Sequence, residues 1–447
     1  MTGLPHVMGL RCVLCGAVYA PHEVDYVCPK HGDEGILDVV YDYALIGRRT
    51  NPARIAEDPD ISIGRYEALL PIRGRTSLPP VPVGGTPMYR ARRLGARLGL
   101  THLYIKHDGR NPSASFKDRA SAVGLARARE LGRRTVTAAS TGNAAASLAL
   151  LAASVDMPTV IFVPATAPEA KVAQLLIHGA TVLTVQGSYD EAYDLSLAAT
   201  RRFGWYSRNT GYNPYLSEGK KSAAFEICEQ FTAMTRLHLD VIVGHRGDWA
   251  RSAREQWDVP DWIFVAVGDG CIIGGLGKGL RDLAALGWIE RVPRLMGVQA
   301  AGSAAIYRAW EAGTEQITPV TPTTLADSIS VGKPRDGVKA LRAVRDTNGA
   351  MILVDDEDIL EAMRLLGREA AVFAEPAAAA ALAGLVRAVR EQRVDPEERI
   401  VVLITGHGLK DVRAAVRATG HPIPVPPTSE ALDRIAHSLN DEVIRPS

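Results

Sequence analysis

A lysine in the first turn of a helix faces the positive end of the helix dipole, an electrostatically poor place for a cation. The run Asn111-Pro-Ser-Ala-Ser-Phe-Lys117-Asp-Arg119 puts one there, just after an apolar strand pattern and at the opening of a helical one. An amine held in that position and partly buried gives up its proton more easily, and the neutral amine is a nucleophile for an aldehyde. Lys117 is therefore the first candidate for catalysis, with the hydroxyls of Ser113 and Ser115 beside it.

Three further turns share this strand-to-helix setting. Ser140-Thr141-Gly142-Asn143 precedes an Ala-rich helix and aims backbone donors and an amide at the same crevice, although an ordinary helix cap has a similar composition. Val267-Gly268-Asp269-Gly270-Cys271-Ile272 leaves an apolar strand and opens a helix, the arrangement in which free backbone N–H groups hold a phosphate. Its glycine spacing is not the dinucleotide fingerprint, and the next strand ends at Gln299 without an acidic residue for a ribose. Gly277-Lys278 is followed by glycine, which excludes a P-loop. Thr405-Gly406-His407-Gly408 leaves a later strand. Thr405 either faces the crevice or caps the next helix, and His407, with no carboxylate partner nearby in sequence, reads as structural.

A separate chemistry opens the chain. Cys12-x2-Cys15 and Cys28-x2-His31 form two knuckles separated by twelve residues, each bringing two soft donors to one point, as structural tetrahedral zinc requires. Gly16 and Gly32 follow the knuckles, where tight turns often need positive φ. The alternative is a chance arrangement of free buried cysteines.

The elements that must position these residues alternate. Strands are predicted over 103–106, 135–139, 159–163, 181–185, 263–267, 295–299, 351–354 and 400–404, with helices between them such as 116–131, 144–153 and 357–368. Such alternation means parallel α/β sheets with binding sites at the C-terminal ends of the strands. A polar arm (51–82) precedes them. A Pro-rich stretch at 422–427 leads to a last helix carrying Leu432, Ile435 and Leu439 that is expected to dock on the body. The Ala377–Ala381 run reads as a tightly packed helix.

With 447 residues, 47% of them hydrophobic, the chain can bury two or three compact units. Its 51 basic and 50 acidic residues leave a net charge of +1 and no like-charge block, which argues against nucleic acid or an anionic membrane as the main partner. No leader or membrane-length apolar run is legible, so a cytoplasmic protein acting on a small molecule is expected.

Together these motifs resemble the threonine synthases of the tryptophan-synthase-β-like, fold type II family of pyridoxal-5′-phosphate (PLP) enzymes. The most specific are Ser115-Phe-Lys117-Asp-Arg119, Ser140-Thr-Gly-Asn143, Asn213-Pro-Tyr-Leu-Ser-Glu-Gly219, the Gly268 loop, Glu375-Pro376 and Thr405-Gly-His-Gly408. The likeness runs from the cysteine knuckles to Lys410. It implies two parallel-sheet α/β domains with a zinc-ribbon-like segment at 1–42. A large PLP domain would comprise 43–125 and 216–447, and a small domain 126–215.

By the same resemblance Lys117 carries PLP as a Schiff base, Asn143 bonds its phenolate oxygen, Gly268, Asp269, Gly270, Cys271 and Ile272 cradle its phosphate, and Thr405 meets the pyridine nitrogen. Ser113, Ser115, Ser140, Thr141, Asn209 and Lys221 fall at the substrate. A neutral hydroxyl at the pyridine nitrogen leaves a carbanion less deeply stabilised, which suits elimination and replacement, with Lys117 moving the α and β protons. The implied reaction releases a γ-substituent from an O-activated homoserine and adds water at Cβ, as a homodimer.

Two positions depart from the family pattern. Leu216 stands where an arginine grips the substrate's phosphate, and Ala144 where a threonine does. A weakened phosphate grip follows, with Lys220, Lys221 and Arg208 as replacement cations. The competing activities are β-replacement or β-elimination on serine or an O-activated serine, as in cysteate-synthase-like or dehydratase-like enzymes. A non-catalytic PLP-binding relative would be expected to lack Lys117 or the glycine loop, and both are present. The stretch 231–257, with Gly244-His-Arg-Gly-Asp-Trp249, is longer than the family's usual connection and is expected to form a lid or an oligomer contact.

Overall fold

Every run read as a strand pairs with another, and the pairs fall into two separate parallel sheets. The computed structural model describes residues 3–167, 169–243, 256–420, 422, 424–428 and 431. In chain order the strands are β1 (Val7–Cys12), β2 (Val18–Tyr19), β3 (Leu37–Tyr41), β4 (Met88–Arg90), β5 (His102–His107), β6 (Val136–Ala139) and β7 (Thr159–Pro164). They continue as β8 (Thr181–Val185), β9 (Tyr206–Ser207), β10 (Trp262–Ala266), β11 (Arg294–Ala300), β12 (Ala350–Val354) and β13 (Arg399–Ile404). The larger sheet has the order β12-β11-β10-β13-β5-β4, parallel throughout except for β4 at one edge. The smaller sheet, β8-β7-β6-β9, is entirely parallel.

The central strands explain themselves. All five residues of β10 are buried, as are five of the six in β13, so these strands are continuous apolar runs of the kind that helices cover on both faces. One cover is the helix Pro376–Arg390. Pro376 opens it, and its Ala run lies flat enough on the sheet that Gly384 meets Val298 of β11. A second is the helix Cys271–Ala285 that follows β10.

β1, β2 and β3 form a small antiparallel sheet that carries the cysteine knuckles. These strands, together with β4 and β9, were not predicted, because two- to six-residue strands with mixed polarity carry little periodicity. The polar arm is also more ordered than expected: it holds the helix Pro52–Glu57, capped by Asn51, and a buried turn at Ile63–Leu69. Residues 244–249 and the predicted last helix with Leu432, Ile435 and Leu439 lie outside the described residues. Among the described residues no helix is long and apolar enough to cross a membrane.

Candidate active site

The strand-end turns of both sheets open on one cavity of about 690 Å³. Lys117, Ser140, Thr141, Asn143, Ala144, Arg208, Asn209, Gly268, Asp269, Gly270, Cys271, Ile272 and Thr405 all line it. Residues more than 280 positions apart in sequence thus share one space, because a parallel sheet turns all its C-terminal strand ends to the same side.

Lys117 is the first residue of the helix Lys117–Glu130, preceded by Phe116, which makes no side-chain cap. Burial lowers its amine to a pKa of about 8, and the positive charges of Lys220 and Arg208 act in the same direction. The sequence expectation of a weakly protonated lysine rested on the dipole and burial, and the structure adds two cations that the motif did not reveal. Ser113 and Ser115 do not line this cavity. Their hydroxyls lie 3.2 Å apart beneath the lysine, where Ser113 N–H donates to Asp118 and the Lys117 N–H reaches Ser115 at 3.4 Å. They build the turn that presents Lys117.

The glycine loop has the form expected of an anion cradle. Gly270 adopts φ +91°, a left-handed backbone, and a Cβ there would lie 2.8 Å from both Ala340 and the Asp336 carbonyl. No side chain caps the helix that starts at Cys271, so its first N–H groups are open to a ligand. Asp269 is held in the loop: its carboxylate accepts the Arg335 N–H at 3.1 Å and its carbonyl accepts that of Asp336 at 3.0 Å. Burial raises its pKa.

Opposite the loop, Asn143 donates its amide to Glu375 Oε1 at 2.8 Å. Glu375 is buried, which raises its pKa, while the Asn143 bond pulls in the other direction. Its carboxylate packs on Gly406, and its N–H donates to the Gly406 carbonyl at 3.2 Å. Thr405 accepts the Phe116 N–H on its own carbonyl at 2.8 Å, so the Thr405 and Lys117 turns are fastened together. Sequence reasoning quoted Glu375 as a motif residue without a site role. Its only local signal was a carboxylate at a helix cap ahead of proline.

Other sequence-predicted positions lie differently. Lys221 is away from the cavity. It is fully buried, pairs with Glu218 at 2.6 Å and Asp282 at 2.7 Å, and lies 3.9 Å from the centre of the Tyr41 ring. Its charge is already neutralised, so it cannot serve as a replacement phosphate ligand. Leu216 is also outside the cavity, packed against Gly124 of the Lys117 helix. Asn209 lines the cavity, but its amide joins the end of β6 to the helix Tyr189–Phe203, accepting from Ala139 N–H at 2.8 Å and donating to Ser196 at 2.7 Å. Arg208 does reach the cavity: its guanidinium donates to Ser121 at 3.1 Å and to Thr210 and the Lys117 carbonyl at 3.4 Å. His407 accepts the Leu409 N–H at 3.2 Å and packs against Phe373. Arg335 was missed by the motifs. It lines the cavity, pairs with Asp190 at 2.8 Å and lies over Tyr193.

At the small N-terminal sheet, one donor atom each from Cys12, Cys15, Cys28 and His31 lies within 4.8 Å of the others. Gly16 and Gly32 take positive φ after the two knuckles. Three sulfurs and an imidazole nitrogen so converged are a donor set suited to zinc.

Residues 81–406 match the pyridoxal-phosphate dependent enzyme family. This chain belongs to that family. Among its relatives are two proteins named threonine synthase. The one from Methanocaldococcus jannaschii is 36% identical over 96% of this chain and 99% of its own length, and the one from Methanosarcina acetivorans is 37% identical over 95% and 97%. Solved structures with the same fold include diaminopropionate ammonia lyase from Escherichia coli (TM-score 0.62, 17% identity, covering 81% of this chain and 93% of that one). Another is threonine deaminase isoform 2 from Solanum lycopersicum (TM-score 0.59, 21% identity, 75% and 83%). Fold type II is thus the architecture of this PLP-dependent enzyme.

The cavity of this family member fits the cofactor on three counts. It offers an amine of lowered basicity at Lys117, an uncapped helix start at Gly270–Cys271 for a phosphate, and polar side chains at Asn143 and Thr405 in the same lining.

Proposed function

We propose that this chain is a threonine synthase, a carbon–oxygen lyase acting on an O-activated homoserine. The observation that carries the reading is the amine of Lys117, with a pKa of about 8, in a cavity also lined by the first residues of two uncapped helices, Asn143 and Cys271. The near full-length relatives of that name support the choice of reaction.

PLP, when bound, withdraws electrons from the substrate's Cα and so makes the Cα and Cβ protons mobile. Lys117 anchors the cofactor and, with an amine poised near neutral pH, takes and returns those protons. Asn143, whose amide donates to Glu375 at 2.8 Å and to Ser328 at 3.4 Å, would bond the cofactor's phenolate oxygen. Gly268 to Ile272 supply backbone donors to its phosphate, and the neutral Thr405 hydroxyl meets its ring nitrogen. The start of the Asn143–Ala153 helix, with Ser140 and Thr141, receives the substrate carboxylate. Arg208, with Thr210 beside it, takes the leaving phosphate, a role the family pattern gives to the position of Leu216.

The reading extends to the rest of the molecule. Residues 1–42 form a zinc-ribbon-like unit with zinc on Cys12, Cys15, Cys28 and His31. Residues 43–125 and 216–447 form the cofactor domain, and residues 126–215 the small domain, in a cytoplasmic homodimer. The test is incubation of the PLP-loaded enzyme with O-phosphohomoserine, O-phosphoserine and serine. Threonine and inorganic phosphate in equal amounts from the first substrate are expected. Turnover of the serine compounds alone would replace this reading with β-elimination or β-replacement.

A further inference from the structure

The short helix Tyr215–Lys220 is wedged between the two helices that begin at Lys117 and Cys271. On one side Gly219 lies against the Arg119 carbonyl, where a Cβ would come within 2.0 Å. On the other, a Cβ on Gly275 would meet that of Lys220 at 2.7 Å. Gly275 is four residues beyond Cys271 and therefore on the same face of its helix, one turn from its start. Lys220 is not itself a lining residue of the cavity, but its backbone lies beside the uncapped glycine loop, between the positive ends of two helices.

Its surroundings set it apart from the other buried lysines. Lys106, Lys221, Lys278 and Lys339 each hold a carboxylate within 2.8 Å. Lys220 is 1% exposed and, among the described residues, has no hydrogen-bond or ion-pair partner. Its charge reaches both Lys117 and Cys271, and after burial it is the largest influence lowering the Lys117 pKa. A buried ammonium is tolerated when an anion pairs with it, and beside this one stand Lys117 and two helix starts, all of like sign. Asp269, the nearest acidic residue of the loop, turns its carboxylate to Arg335.

We propose that Lys220 is the counter-ion of the cofactor's phosphate, acting with the backbone donors of Gly268 to Ile272. The phosphate is close to a dianion at neutral pH, and backbone N–H groups alone leave its charge unbalanced. The inference rests on the family's cofactor and is independent of which substrate the enzyme turns over.

The experiment titrates the apoenzyme of the parent, Lys220→Gln and Lys220→Met with PLP and with pyridoxal, which has the aldehyde but no phosphate. Binding is read by visible absorbance. Loss of one charge-assisted bond is expected to weaken PLP binding by about 10- to 100-fold, with pyridoxal affected by less than about twofold. Inorganic phosphate should raise the melting temperature of the parent apoenzyme and have no such effect on either variant. Lys220→Arg, which keeps the charge, should restore most of the PLP affinity and guards against a purely structural defect. Equal losses for PLP and pyridoxal, or unchanged PLP affinity in both neutral variants, would overturn the proposal. So would a raised KM for a phosphorylated substrate at unchanged PLP affinity, which would assign Lys220 to the substrate. The PLP, pyridoxal and phosphate titrations need no threonine formation, so a wrong substrate assignment leaves them interpretable.

Discussion

Lys117 and Arg119 are two residues apart on one helix, yet they end in opposite surroundings. Arg119 is fully buried and held between Asp108, at 2.6 Å, and Glu226, at 2.7 Å; Lys106 shares Glu226 at 2.8 Å. Lys117 faces a cavity in which Lys220 and Arg208 lower its pKa and Cys271 and Asp269 raise it, and among the described residues it holds no carboxylate in an ion pair. The first arrangement is complete within the protein: every charge has a partner of opposite sign. The second leaves its lysines without an ion-pair partner among the described residues. Paired charges behind the cavity hold β5, the Lys117 helix and the helix Ser222–Val243 together, and Lys117 and Lys220 in front, without a carboxylate partner among the described residues, mark where an anion belongs.

The largest test of that contrast is on its two ends. Lys117→Ala should lose all cofactor fixed by borohydride reduction, and all turnover with it, while the protein keeps its fold; a covalent adduct surviving in the mutant would remove Lys117 from its assigned place. Glu226→Ala should do the reverse, since it leaves Lys106 without a carboxylate and Arg119 with Asp108 alone in the interior. A loss of about 3–5 kcal/mol in urea unfolding is expected, without a direct effect on cofactor chemistry in the folded fraction.

Smaller effects sharpen the boundary. Leu216 lies against Gly124 outside the cavity, so Leu216→Arg should not improve use of a phosphorylated substrate. Overpacking there should destabilise by about 1–3 kcal/mol, measured by thermal melting. A gain in kcat/KM for O-phosphohomoserine would show that this position reaches the substrate after all.

The pH dependence follows from the Lys117 amine, whose folded pKa is lowered from 10.5 to about 8. Because the unfolded chain binds this proton more tightly, the charged lysine opposes folding below about pH 8, and that penalty fades as pH rises towards 10.5. Apoenzyme stability should therefore gain over this window in the parent relative to Lys117→Met. Reaction of the apoenzyme with an aldehyde should show a midpoint near 8 in the same experiment. The smallest effect is expected from zinc. Chelation should loosen residues 1–42, as seen by proteolysis, and leave the visible spectrum of the bound cofactor unchanged.

The predicted strands recur in the two parallel sheets with ends shifted by a residue or two, because long buried strands are written as apolar runs that any neighbour preserves. The short strands of the N-terminal sheet were not legible, since their pairing depends on partners up to about thirty residues away and not on periodicity. Glycine turns at strand ends were equally legible: a backbone that must adopt φ +91° at Gly270, or converge three thiols and an imidazole, leaves its mark in residue type and spacing.

The sequence by itself thus determined the α/β class, the lysine, the glycine cradle and the cysteine knuckles, because each is a local constraint on backbone or donor type. Only the tertiary structure decided what the charges do. Lys220 and Lys221 are adjacent in the chain and identical in chemistry, and a helix turns them about 100° apart. Lys221 meets Glu218, Asp282 and the Tyr41 ring, and Lys220 meets no carboxylate among the described residues. Helical spacing brings Glu218 to Lys221, but Asp282 reaches it from sixty-one residues away, and no spacing rule in the chain tells which of the two lysines receives both carboxylates.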